Sequence, residues 1–234
     1  MSIRENIDDI LKKVESTCKK TGRNPKDITV IAVSKTVDAQ RAKEAVEAGI
    51  NNLGENRVQE LVDKYEELKG TDVKWHMIGH LQKNKVKYII DKTVLIHSVE
   101  SLELAEEINK RAEKNNFTAN VLIELNIGEE ESKFGINEER VYDFIKSMEK
   151  FNNIKVLGLM TVAPFCENPE DVRWVFKKMK NIYDEISTMN LKNVQMKYLS
   201  MGMTNDYEIA IEEGSNIIRI GTAIFGARKN KEEN

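Results

Sequence analysis

The sequence predicts an α/β fold, a single-domain (β/α)8 barrel of parallel strands with one additional N-terminal helix. Two observations carry this reading. Eight short apolar runs alternate with charged segments of helical periodicity, and no linker-like stretch divides the 234 residues into two units. A strand that returns to its neighbour through a crossover helix is parallel to it, and eight such units leave no exposed sheet edge if they close. The rival is an open doubly wound sheet. No Gly-x-Gly-x-x-Gly turn follows the first run, where that fold would carry one.

The elements follow in order. Ile3, Ile7, Ile10, Leu11 and Val14 recur at helical spacing, so residues 1–21 read as an amphipathic helix packed on the barrel. Apolar runs then mark strands at 28–35, 51–54, 74–79, 93–98, 118–127, 154–161, 196–201 and 217–221. Helical patterns separate them at 38–48, 56–68, 83–90, 101–114, 137–150, 169–188 and 205–213, with a short helical tail expected after Gly226. The whole chain, 1–234, is read as one TIM-barrel domain.

Composition narrows the function classes. The 36 basic and 39 acidic side chains are mixed along the chain and give a net charge of -3, which argues against a nucleic-acid footprint. The start lacks an apolar signal core, and no apolar run approaches the ~20 residues that span a bilayer, so a cytoplasmic protein without a membrane partner is expected. Cys18 and Cys166 lack metal-type spacing and read as reduced structural thiols.

Against this background Lys35 stands out, because it ends the apolar run Ile28-Thr29-Val30-Ile31-Ala32-Val33-Ser34-Lys35-Thr36. Alternation puts Ile31, Val33 and Lys35 on one face of the strand. A buried ammonium is costly, and lysine escapes by losing its proton, by condensing with a carbonyl compound, or by snorkelling to solvent. In a barrel the C-terminal strand ends carry the chemistry, and phosphate sites often follow the last two strands. The seventh strand here ends in Ser200-Met201-Gly202-Met203-Thr204, and the eighth runs through Arg219-Ile220-Gly221-Thr222. Hydroxyls and the backbone N–H groups around Gly221 and Thr222 suit an anion. Closure would set them beside Lys35.

Several segments together resemble one family: Ala32-Val33-Ser34-Lys35-Thr36, Gly54-Glu55-Asn56-Arg57-Val58-Gln59-Glu60, Trp75-His76-Met77-Ile78-Gly79-His80-Leu81-Gln82, Gly158-Leu159-Met160-Thr161, and the Ser200 and Arg219 segments. They resemble the pyridoxal phosphate homeostasis proteins, also called the YggS or PROSC family, over essentially the whole chain. The resemblance implies a fold-type III barrel related to that of alanine racemase, with pyridoxal 5′-phosphate held as a Schiff base on Lys35. It further implies that Ser200 and the backbone of Gly221 and Thr222 hold the phosphate. Arg219 is similar to the arginine that faces the pyridine nitrogen in the racemases; contact with phosphate is the alternative.

Asn56 either hydrogen-bonds the cofactor edge or caps the following helix. Met160 and Thr161 end the sixth strand, in the pocket wall or in the core. His76, His80 and His97 are not expected to bind metal, and the charged loop 128–135 either gates the mouth or is simply solvated. Racemisation needs acid–base groups on both faces of the bound amino acid. The sequence given ends soon after the eighth strand, so no counterpart of the domain from which racemases supply the second group is expected. The expectation is therefore a monomeric protein that buffers, protects or delivers the cofactor, with cofactor-dependent apo-enzymes as transient partners. A small racemase or lyase is the alternative, and a cofactor-free aldolase ranks last.

Overall fold

The computed structural model describes residues 1–128 and 134–226. Its eight strands are β1 (Thr29–Val33), β2 (Asn52–Glu55), β3 (Lys74–Met77), β4 (Thr93–Val99), β5 (Ala119–Leu125), β6 (Ile154–Thr161), β7 (Val194–Ser200) and β8 (Ile217–Ile220). They pair in sequence order, all parallel, and form a closed barrel. The closing ladder sets Thr29 opposite Ile217 and continues to Ala32 opposite Ile220.

Strand alternation divides the apolar residues between two cores. Val30 and Ala32 face outward to the helix layer, whereas Ile31 faces the interior with Leu95, Leu122, Leu157, Met160 and Ile217. The helix layer comprises α1 (Ile3–Thr21), α2 (Ala39–Glu47), α3 (Val58–Glu67), α4 (Val86–Ile89), α5 (Leu102–Lys114), α6 (Val141–Ser147), α7 (Arg173–Ser187), α8 (Tyr207–Glu212) and α9 (Thr222–Phe225). Helix α1 starts in a capping box: Glu5 N–H donates to Ser2 Oγ at 3.2 Å, and Ser2 N–H donates to Glu5 Oε2 at 2.7 Å. Its buried stripe of Ile3, Ile7, Ile10, Val14 and Cys18 packs on α2, α8 and α9, while Leu11 falls on the solvent side.

Some segments differ from expectation. The 83–90 pattern splits into a 3-10 turn, Lys83–Lys85, and the single turn of α4. A short helix that was not expected, α9, precedes Gly226 and springs directly from the end of β8 with Gly221 as its first cap. Two distant side chains bond the α9 carbonyls: Asn6 Nδ2 donates to Ile224 O at 2.8 Å, and the Arg41 guanidinium donates to Phe225 O. Residues 227–234, where the tail was expected, lie outside the described residues.

One glycine is fixed by close packing between β6 and β7. Gly158 has φ +145°, and a Cβ there would lie 1.8 Å from Tyr198 O. Gly158→Ala should therefore lose about 3 kcal/mol or more of unfolding free energy in urea denaturation, through backbone strain and a broken β6–β7 ladder.

Candidate functional site

Lys35 lies two residues beyond β1, in a turn rather than in the strand itself. The strand ends early because Thr36 takes a left-handed conformation, φ 63°, which L side chains rarely adopt. Surrounding groups hold it there. Ser34 N–H still donates to Gly54 O at 3.0 Å, Val37 N–H closes the turn onto Ser34 O at 3.0 Å, and Thr36 N–H donates to Glu60 Oε2 at 2.7 Å. Beneath the turn Lys64 Nζ donates to Ser34 O and to Glu55 Oε1, each at 2.6 Å, and Ser34 Oγ donates to the same carboxylate oxygen at 2.6 Å. Burial pushes the Glu55 carboxyl up, while Lys64 and the Ser34 hydroxyl pull it back. Glu55, Glu60 and Lys64 clamp both sides of Lys35 without entering the cavity, and the sequence reading missed all three. Their signal was a Glu-x4-Glu-x3-Lys spacing in the β2–α3 unit.

Lys35 lines a cavity of about 460 Å³ at the C-terminal mouth of the barrel, within the range of small-molecule sites. Asn56, Arg219, Gly221 and Thr222 share its wall, so the structure gathers these five sequence-level candidates at one mouth. Asn56 does not cap α3, whose N-cap is Arg57, and its Oδ1 is buried without a hydrogen bond among the described residues. Its backbone fits because position 79 lacks a side chain: a Cβ on Gly79 would lie 2.5 Å from Asn56 O. Gly221 and Thr222 form the start of α9, where the first N–H groups have no partner within the helix.

Arg219 forms the floor. It is 4% exposed, and its Nη1 and Nη2 donate to Ser200 Oγ at 2.7 Å and to Thr161 O at 2.8 Å. Both acceptors are neutral. Glu124 and Asp206 act on it as charges without a hydrogen bond among the described residues, and burial lowers its pKa to about 10. Ser200 and Met160 do not line the cavity. Ser200 is fully buried between Arg219 and His97, and Met160 packs in the apolar interior.

Met203 and Thr204, from the segment that ends the seventh strand, also line the wall, and much of the rest comes from loop residues to which the sequence reading gave no site role: Val162, Pro164, Phe165, Cys166 and Pro169 after β6, and Asn205 and Asp206 after β7. Only the barrel rule, which aims every post-strand loop at the mouth, signalled them. Asp206 organises its own loop by accepting from Met203 N–H at 2.6 Å.

Comparison with known proteins agrees with this geometry. The family described as "Alanine racemase, N-terminal domain" matches residues 5–229. A pyridoxal phosphate homeostasis protein of Aquifex aeolicus is 46% identical over 98% of this chain and 100% of its own length. The chain belongs to the pyridoxal phosphate homeostasis protein family. Among solved structures, PipY of Synechococcus elongatus with PLP bound superposes at TM-score 0.80 and 29% identity, covering 92% of this chain and all of that one. An alanine racemase of Clostridium difficile shares the fold, with TM-score 0.68 and 19% identity; the match spans 95% of this chain and 58% of the racemase.

A smaller hollow of about 370 Å³ adjoins the main cavity through Asn56, Ile78 and Val162, and Glu124, Asn126 and His80 line its far side. His80 Nδ1 sits 2.8 Å from Glu100 Oε1, well away from the other two histidines, which meet in the barrel interior. Residues 129–133, most of the charged 128–135 loop, lie outside the described residues. No helix among the described residues is long and apolar enough to cross a membrane.

Two outcomes are expected. Lys64→Met leaves Glu55 buried without its cation, and should cost about 3 kcal/mol in chemical denaturation. Glu124 is pushed up from 4.5 to about 7, first by burial and then by the Glu100 charge, against the pull of Arg219. The folded state thus holds a proton that the unfolded chain releases, so this carboxyl stabilises fully below 4.5 and loses its effect as pH rises towards 7. Relative to the wild type, Glu124→Gln should remove on the order of 2–3 kcal/mol of pH-dependent stability across that window, read from denaturation midpoints at a series of pH values.

Proposed function

We propose that this protein binds pyridoxal 5′-phosphate through Lys35 and serves in the homeostasis of that cofactor, buffering, protecting or delivering it rather than turning over a substrate. The observation that carries the reading is the meeting of Lys35 and the buried Arg219 in one cavity with the Gly221–Thr222 turn. When bound, the cofactor supplies an aldehyde that condenses with amines and a pyridine ring that withdraws electrons.

The wall suits that group on three counts. Lys35 offers the amine, on a turn clamped by Glu60 and Lys64. Gly221 and Thr222 present backbone N–H groups and a hydroxyl to a phosphate, and a Cβ at Gly221 would meet Val33 at an ordinary 3.6 Å, so packing alone does not demand glycine there. The orphaned Asn56 Oδ1 accepts a hydrogen bond from a ligand, which removes the cost of its burial. Met160 and Ser200 support the floor from behind. Named relatives support the same reading: they are homeostasis proteins, and PipY carries PLP.

Arg219 resembles an arginine that the racemases also carry, so the holding role rests on the named relatives. A guanidinium only donates hydrogen bonds and stays charged, so if it held the pyridine nitrogen and not the phosphate it would disfavour protonation there.

The test is mass spectrometry after borohydride reduction of protein incubated with pyridoxal 5′-phosphate. A pyridoxyl-phosphate adduct is expected on Lys35 and absent from Lys35→Ala. No adduct on the wild type would overturn the proposal, and interconversion of amino-acid enantiomers at an enzymatic rate would overturn the carrier role.

A further inference from the structure

The barrel interior beneath the cavity is crossed by a line of polar side chains that cofactor binding does not by itself require. Such interiors are normally filled by branched apolar residues. Here Asn52 of β2, His76 of β3, His97 of β4, Ser200 of β7 and Arg219 of β8 touch end to end. Asn52 Oδ1 lies 3.1 Å from His76 Nε2, and His76 Nδ1 lies 3.0 Å from His97 Nε2. His97 Nδ1 lies 3.0 Å from Ser200 Oγ, which accepts from Arg219 Nη1 at 2.7 Å. The line runs from the N-terminal end of the strands to the cavity floor.

Its protons have one consistent arrangement, fixed at the far end. The Asp72 carboxylate accepts from Asn51 Nδ2 at 3.1 Å, so Asn51 presents Oδ1 to Asn52 Nδ2 at 3.2 Å. Asn52 Oδ1 therefore faces His76 and accepts from it. The proton of His76 is then on Nε2 and its Nδ1 accepts, which puts the proton of His97 on Nε2 as well. His97 Nδ1 accepts in turn from the Ser200 hydroxyl, whose lone pair takes the Arg219 N–H. At the other end arginine can only donate, so every bond points the same way, from guanidinium to carboxylate. Deep burial keeps both rings neutral, with His76 lowered to about 3 and His97 well below its ordinary value, as a chain with one proton per link demands.

We propose that Asn52, His76, His97 and Ser200 are positioning residues, a one-way hydrogen-bond chain that fixes the Arg219 guanidinium in the cavity floor for the ligand above it. The part of this that concerns the ligand rests on the cofactor reading given above; the direction of the chain does not. A consequence follows for Ser200. Its single proton is committed to His97, so it acts on a bound cofactor through Arg219 instead of donating to the phosphate, which falls to Gly221 and Thr222. Chains of this kind polarise one another, and a break at one end is felt at the other.

Two measurements test the proposal. Long-range 1H–15N NMR of imidazole-labelled, ligand-free protein near neutral pH should find His76 and His97 both neutral with the proton on Nε2. A proton on Nδ1 of either ring overturns the chain. The second measurement uses Asn52, which does not line the cavity. Asn52→Leu removes the terminal acceptor and should weaken pyridoxal 5′-phosphate binding about threefold to tenfold and shift the absorbance maximum of the bound cofactor, whereas Asn52→Asp, which still accepts from His76, should restore both. A lowered melting temperature with unchanged affinity and spectrum in Asn52→Leu overturns the positioning role. If the wild type binds no pyridoxal 5′-phosphate, the cofactor reading fails, and the NMR result alone decides the chain.

Discussion

Closure of the sheet is the constraint on which the site depends. The β8–β1 ladder brings Arg219 opposite Ile31 and carries Gly221 and Thr222 to the same rim as Lys35. A single parallel pair thus joins an amine near the start of the sequence to the Gly221–Thr222 turn near its end. In an open sheet, β1 and β8 need not be neighbours, and the same residues would not share a cavity. Long-range pairings of this kind are slow to form because loop entropy is lost before the contacts repay it, but once made they leave no strand edge for another chain to extend.

Burial of charge is the second organising feature, and it is handled differently at two places. Under Lys35 one oxygen of Glu55 is tied to Lys64 and to the Ser34 hydroxyl, and Lys64 also reaches the Ser34 carbonyl, so the ion pair supports a left-handed turn, while Glu55 Oε2 is buried without a hydrogen bond among the described residues. At Arg219 the guanidinium donates, among the described residues, to neutral oxygens of Ser200 and Thr161, with Glu124 and Asp206 acting on it as charges without a hydrogen bond. The first arrangement stays out of the cavity wall. The second leaves donor capacity facing the cavity, and that difference separates scaffold from site. The barrel interior follows the same logic: its apolar layer of Ile31, Leu95, Leu122, Leu157 and Ile217 gives way to His76, His97 and Ser200 where a polar group must be held.

Much of this was legible in the sequence, though unevenly. Eight strands and the helical periods between them were readable because apolar alternation is a local property. Lys35, Arg219, Gly221 and Thr222 were readable because they interrupt or end apolar runs, where an amine, a guanidinium or a glycine needs a reason. Asn56 left two readings open, and the position of the α3 cap, one residue later, removes the capping one. Ser200 and Met160 were readable as strand-end residues, but their distance from the cavity was not, since alternation sets the face of the strand and not the depth within the barrel.

What the sequence by itself determined is the repeat of eight strand–helix units and the chemistry available at their C-terminal ends, because both follow from spacing and residue type. Only the tertiary structure decided which of those groups meet. Lys64 and Glu60 read as ordinary surface charges on a helix until folding aimed them at the turn that carries Lys35. Likewise His76 and His97, 21 residues apart in sequence, join Ser200, 103 residues beyond His97, through side-chain directions set by strand register and barrel shear. Pair energies inside a low-dielectric core depend on ångströms, and ångströms are fixed by closure rather than by composition.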